Sequence, residues 1–236
     1  MPGDLTNAIA VVAGQSHSLA LKVDGTVIAW GATNSGQCTV PAGLSDVVAI
    51  AAGSEHSLAL KSDGTVVAWG RNDKAQCNLP SLQDDVVALA AGNYHTLALK
   101  ADGTVAAWGY NYYDNTCNVP ADLSNVVAIA AGGYHNLALK LDGMVAAWGS
   151  TNNGRCAVPT NLANVVAIAA GESHSLALKS DMTVTAWGLN DRGQCNVPAG
   201  LADAVAIAAG SSHNLALRSD GTVVAWGVTN GGRCSI

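Results

Sequence analysis

Histidine, cysteine and tryptophan are the residues of this chain suited to metal binding, thiol chemistry or aromatic recognition, and each occurs six times. Their spacing decides among those uses. Trp30, Trp69, Trp108, Trp148, Trp187 and Trp226 are separated by 39 residues in four intervals and by 40 in the third. His17, His56, His95, His135, His174 and His213 keep the same step, as do Cys38, Cys77, Cys117, Cys156, Cys195 and Cys234. A fixed period of this size marks one supersecondary unit stacked on copies of itself. Six equivalent imidazoles cannot converge on one ion unless it sits on an axis. Each His here opens a strand off that axis, so no metal site is expected. The imidazoles read as structural, with one ring nitrogen bonded to backbone. The six Trp read as packing residues, one ring per unit wedged between sheets, with the N–H satisfied locally. Asp24, Asp63, Asp102, Asp142, Asp181 and Asp220 read as turn formers, not catalytic carboxylates. Any Ser-His-Asp or Cys-His pair would occur six times, and no phosphate-binding glycine loop is present. The chain is therefore expected not to be an enzyme and to use no cofactor.

The second copy shows what must position these residues. Val47 to Ala52 is small and β-branched, a buried strand; His56 to Lys61 alternates with period 2; Thr65 to Trp69 is a third strand. Asp63-Gly64 between the second and third is a strong hairpin signal. Gly70 to Gln76 is a polar loop, Cys77 to Leu79 is a candidate short fourth strand, and Pro80 ends pairing. Each unit of about 39 residues is thus a three- to four-stranded antiparallel meander. The ends match in register: Pro2 aligns with Pro41, Leu5 with Leu44 and Gly14 with Gly53, while Cys234-Ser235-Ile236 aligns with Cys38-Thr39-Val40. Neither end carries a polar cap of the sort an open stack needs. The expected architecture is all-β, a closed six-bladed β-propeller spanning residues 1–236 as a single domain.

On that geometry the cysteines are expected to be free and largely buried. Strands step outward by about 4.8 Å, which puts each Cys on a ring of roughly 10 Å radius or more. Equivalent Cα atoms are then beyond the about 7 Å that a disulfide allows. Half the residues are apolar, but small ones, with no Phe and 26 Gly, as thin stacked sheets require. The net charge is −6 and the 11 Lys and Arg are scattered, so no nucleic-acid partner is expected. There is no 18-residue apolar run and no cationic leader in MPGDLTNAIA, so a soluble chain without a membrane partner is expected, and a monomer.

The repeat Ala-Gly-x-x-His-x-Leu-Ala-Leu-x-x-Asp-Gly-x-Val-x-Ala-Trp-Gly resembles the regulator of chromosome condensation (RCC1-like) repeat family. All six copies match, with Met182 in place of the turn glycine in the fifth. The resemblance covers essentially the whole chain and implies a β-propeller. It implies no single function, because members include exchange factors, chromatin binders, photoreceptors and scaffolds. The repeats here are shorter than is usual for the family. They carry no wedge-like insertion and no basic surface, so exchange activity and nucleosome binding are not expected.

The residues that break the repeat are the candidates for function. The strands barely vary, whereas the loop before each His and the loop after each Trp-Gly do, and both emerge at one end of the meander. All five tyrosines fall there: Tyr94 and Tyr134 before their histidines, and Tyr110, Tyr112 and Tyr113 in the third outer loop, which holds the inserted residue. Asn93, Asn111 and Asp114 accompany them. Tyrosine gives rigid contact area with a hydroxyl handle. The expected function is a non-catalytic binding or scaffold propeller that engages a protein or peptide through this face on the third and fourth blades. A carbohydrate-binding, lectin-like propeller is a second reading. An engineered or recently amplified propeller with no evolved ligand is a third.

Overall fold

A computed structural model describes residues 5–81, 85–111, 115–228 and 234. The chain divides into two compact units, Met1–Tyr112 and Tyr113–Ile236. In the first, three antiparallel sheets follow one another along the chain. They are β1 (Ala8–Ala13), β2 (His17–Lys22) and β3 (Val27–Gly31); β4 (Val47–Ala52), β5 (His56–Lys61) and β6 (Val66–Gly70); and β7 (Val86–Ala91), β8 (His95–Lys100) and β9 (Val105–Gly109). The second unit repeats the plan with β10 (Val126–Ala131) to β12 (Val145–Gly149), β13 (Val165–Ala170) to β15 (Val184–Gly188), and β16 (Ala204–Ala209) to β18 (Val223–Gly227).

Each hairpin between the second and third strands forms for the reason its sequence suggests. Asp63 Oδ1 accepts the Thr65 N–H at 2.9 Å, while Gly64, at φ 85°, supplies the left-handed residue of the turn. Met182 takes the same conformation at φ 63° without glycine's freedom. The first strand of every sheet carries a bulge near its start, between Val47 and Ala49 in the second sheet. The bulge turns one side chain outward, and Val48 is correspondingly exposed.

The fourth strand does not form among the described residues. The chain leaves β6 through Gly70, at φ 99°, into a loop that bonds to itself. Asn72 Oδ1 accepts the Cys77 N–H at 2.9 Å, Asn78 N–H reaches Ala75 O, and Pro80 has no N–H to give a ladder. The aligned ends that suggested ring closure, residues 1–4 and 235–236, lie outside the described residues.

The core is a series of clusters between successive sheets of a unit. Trp69 packs with Leu19, Leu21, Val47, Ile50 and Ala59, so its ring joins the first sheet to the second. Trp187 and Trp226 repeat this in the second unit. Leu19, Leu58, Leu97, Leu137 and Leu176 are fully buried, and so are the alanines that follow them, because the middle strands are covered on both faces.

Candidate functional site

The shared polar residues form a relay from blade to blade. His17 Nε2 meets Ser57 Oγ at 3.0 Å, Ser57 Oγ donates to Gln37 O at 2.9 Å, and Trp69 Nε1 donates to the same carbonyl at 2.9 Å. The same pattern links His56, Thr96, Gln76 O and Trp108, and again His135, Ser175, Arg155 O and Trp187. His174 bonds Asn214 Oδ1 at 2.6 Å, and Asn214 and Trp226 share Gln194 O. The hydroxyl hydrogens are committed to carbonyls, and an amide Oδ1 can only accept. Nε2 is therefore the protonated nitrogen, and Nδ1 of His17, His56 and His174 is a buried acceptor with no hydrogen-bond partner. At His17, His56 and His174 the expected backbone partner of the imidazole is not found: a side-chain oxygen takes that place. The Trp N–H likewise finds its carbonyl 32 residues upstream, in the loop leaving the previous blade. Burial pushes His56 down to about 3, with the neighbouring His95 and His17 adding to it, and lowers His17 and His174 as well.

Glycine is required beneath this relay. A Cβ on Gly53 would fall on the His56 ring and against the Gly92 carbonyl. The described cysteines are free and mostly buried, and the thiols of Cys38, Cys77, Cys156 and Cys195 donate to the carbonyl six residues earlier. Loss of solvent raises Cys77, Cys117 and Cys156 to about 11. Among the described residues no three His, Cys, Asp or Glu side chains gather as metal ligands. No described helix is long and apolar enough to cross a membrane.

The two variable loops meet at one end of each blade. Arg71 N–H donates to Glu55 O, Tyr110 N–H to Tyr94 O and Ser150 N–H to Tyr134 O, at 2.8–2.9 Å. In the first unit this seam gathers a cluster of aromatic and charged residues. The rings of Tyr94 and Tyr110 lie edge to face, 6.5 Å apart at 68°. Arg71 Cζ sits 5.4 Å from the Tyr94 centroid and Lys74 Nζ 5.8 Å from that of Tyr110. Carboxylates fix the arginine on two sides. Glu55 Oε2 takes Nη1 at 2.6 Å, and Asp73 takes Nε and Nη2 at 2.7 and 3.0 Å. Those carboxylates hold the guanidinium above its ordinary value, and the arginine in turn holds Asp73 low. The result is an aromatic pair with a cation against each ring and carboxylates beside the arginine.

A family profile described as RCC1-like domain matches residues 2–236. The chain belongs to the RCC1-like domain family. Its six three-stranded sheets match the blades of a six-bladed β-propeller. Yeast RCC1 (Prp20), in its crystal structure bound to Kap60, is 26% identical with a TM-score of 0.79 over 96% of this chain and 71% of that one. Prp20p from Saccharomyces cerevisiae, described with its binding to Gsp1p and histones, gives 26% and 0.80 over 96% and 73%. The CRINKLY WD40 ectodomain of the Arabidopsis thaliana receptor kinase ACR4 gives 22% and 0.76 over 98% and 84%, a likeness of fold. No curated protein sequence matches the chain.

On this RCC1-like scaffold the structure brings two of the sequence-selected tyrosines together, Tyr94 and Tyr110, with Asn93 and exposed Asn111 beside them in sequence. Tyr134 belongs to the second unit, where its carbonyl also accepts from Thr116 Oγ1 at 3.4 Å. Tyr112, Tyr113 and Asp114 lie outside the described residues. Sequence reading missed Glu55, Arg71, Asp73 and Lys74. Their signal was present: the loop Arg71-Asn72-Asp73-Lys74-Ala75-Gln76 is the most charged of the six, one blade before the tyrosines.

Proposed function

We infer that this RCC1-like propeller, taken as a single domain, is a non-catalytic binding module that engages a protein or peptide through the variable loops of its second and third blades. The Arg71–Tyr94–Tyr110–Lys74 cluster carries the reading. Two tyrosines immobilised by packing and by cation–π contact present contact area at little further entropic cost, as recognition surfaces do. Glu55 and Asp73 orient Arg71 over the Tyr94 ring before any partner arrives. Its structural relatives supply context, since yeast RCC1 is seen with Kap60 and Prp20p is described with Gsp1p and histones. Sugar binding is less favoured, because one face of each tyrosine ring already carries a cation where a pyranose would stack.

The test is affinity capture with purified wild type, the Tyr94→Ala/Tyr110→Ala double variant and a Val23→Ser control at the other end of a blade. The reading expects specific partners with wild type and with the control but not with the double variant. Equal capture by all three removes it.

A further inference from the structure

One buried amide in the Arg71 loop lacks the hydrogen bond that its counterparts make. In the outer loop of the first blade, Gln37 Oε1 accepts the Ser35 N–H, and its Nε2 donates to Asn34 Oδ1 at 3.3 Å. In the fifth, Gln194 Oε1 accepts the Arg192 N–H, and its Nε2 donates to Asp191 Oδ1 at 3.1 Å. In the second, Gln76 Oε1 accepts the Lys74 N–H at 2.9 Å, so the amide is oriented in the same way. Its Nε2 is nevertheless fully buried with no partner. The residue that should accept is Asp73, which is turned instead onto the Nε and Nη2 of Arg71. Leu189 stands at the position of Arg71 in the fifth loop, and Asp191, with Arg192 Nε no nearer than 3.9 Å to its Oδ2, keeps Oδ1 for Gln194. A buried donor left without an acceptor is unfavourable. The same loop holds Ala75 in the left-handed region at φ 61°, where Gly36 and Gly193 serve in its counterparts.

We propose that the Nε–Nη2 edge of Arg71 is a carboxylate site, occupied by Asp73 in the free protein and by an acidic side chain of a peptide partner in the complex. The inference rests on the binding reading above and adds the chemistry of the partner. In the exchange the incoming carboxylate forms the two-bond fork that guanidinium geometry favours. Asp73, released, accepts the Gln76 Nε2–H as Asp191 accepts that of Gln194. Glu55 keeps its hold on Nη1, so the guanidinium stays in place over Tyr94. The exchange loses one fork and gains an equivalent fork plus the missing buried hydrogen bond. Lys74, exposed above Tyr110, adds positive charge on the approach. The fitting partner is an extended acidic segment with an aromatic or apolar side chain next to the carboxylate, to lie on Tyr94 and Tyr110.

The test uses a fluorescent peptide of alternating glutamate and tyrosine and its glutamine–tyrosine counterpart, with the full chain. The glutamate peptide binds and the glutamine peptide does not. Asp73→Asn removes the internal competitor and leaves an acceptor for Gln76, as Asn34 is for Gln37, so it should bind the glutamate peptide about tenfold tighter. Arg71→Lys, which keeps the charge but not the fork, should bind about tenfold more weakly. As peptide saturates the wild type, the Gln76 side-chain amide resonances should move toward those of Gln194. Equal affinity for the two peptides, unchanged affinity in Asp73→Asn, or a Gln76 amide that does not respond would overturn the proposal. Partner capture that depends on Tyr94 and Tyr110 but not on Arg71 would leave the binding reading standing without it.

Discussion

His174 donates through Nε2 to Asn214 Oδ1 across 2.6 Å, from the middle strand of one blade to that of the next. The contact recurs with Ser or Thr as acceptor at His17, His56 and His135. It ties successive blades through a neutral imidazole whose other nitrogen is buried. Protonation of His17, His56 or His174 would put a proton on a buried Nδ1 that has no hydrogen-bond partner.

The fold should therefore be acid-sensitive through its histidines. The folded values of His17, His56 and His174 lie below the ordinary 6.5, with His56 at about 3, so the unfolded chain binds more protons as pH falls. Their contribution is complete above about pH 6.5 and declines steadily toward pH 3. Thermal unfolding between pH 8 and pH 4 should show a plateau and then a falling Tm from about pH 6.5 downward. A Tm flat to pH 4.5 would show that the imidazoles are not held neutral.

Met182 holds a left-handed turn that glycine holds at Gly25, Gly64, Gly103, Gly143 and Gly221. Met182→Gly should stabilise the chain by up to about 1 kcal/mol, after allowing for the added freedom of the unfolded chain. At this length that corresponds to a rise in Tm of roughly 2–4 °C. A lower Tm would mean that the methionine side chain contributes more than the turn loses.

Gly53→Ala should destabilise by about 1–3 kcal/mol or more, because the added methyl meets the His56 ring and the Gly92 carbonyl. Gly43→Ala, where φ is 77° but nothing lies within 4 Å, should cost only the backbone term of about 1 kcal/mol. Denaturant unfolding of the pair separates crowding from conformation. Equal losses would remove the packing argument.

The thiols should react slowly. Burial raises Cys77, Cys117 and Cys156 to about 11, so at pH 8 little thiolate is present. Labelling by a disulfide reagent at pH 8 should lag well behind a free thiol and accelerate in denaturant. Labelling as fast as that of the unfolded chain would contradict the structure.

Most of the fold was legible because each local signal recurs in five or six copies. The Asp-Gly turns, the alternation of His56 to Lys61 and the small inner strand each named their element without tertiary help. The absence of a fourth strand among the described residues was not legible, since Cys77-Asn78-Leu79 has strand-like residues and the Asn72 side chain, folding back on Cys77, holds them in a loop. The histidine partner escaped for a related reason. Ser57 lies 40 residues from His17, and the identity of that acceptor depends on blade-to-blade stacking. For the candidate site, aromatic clustering in sequence pointed to Tyr94 and Tyr110. Arg71 belongs to the preceding copy, and only the packing of neighbouring blades puts its guanidinium over the Tyr94 ring.

Hydroxyl-radical footprinting of the chain with and without a captured partner tests the central claim most directly. Binding through the variable loops of the second and third blades predicts protection of Tyr94 and Tyr110, with Val23, Leu141 and Met182 at the opposite blade ends unchanged. Protection at those turn residues with the two tyrosines still fully labelled would contradict it.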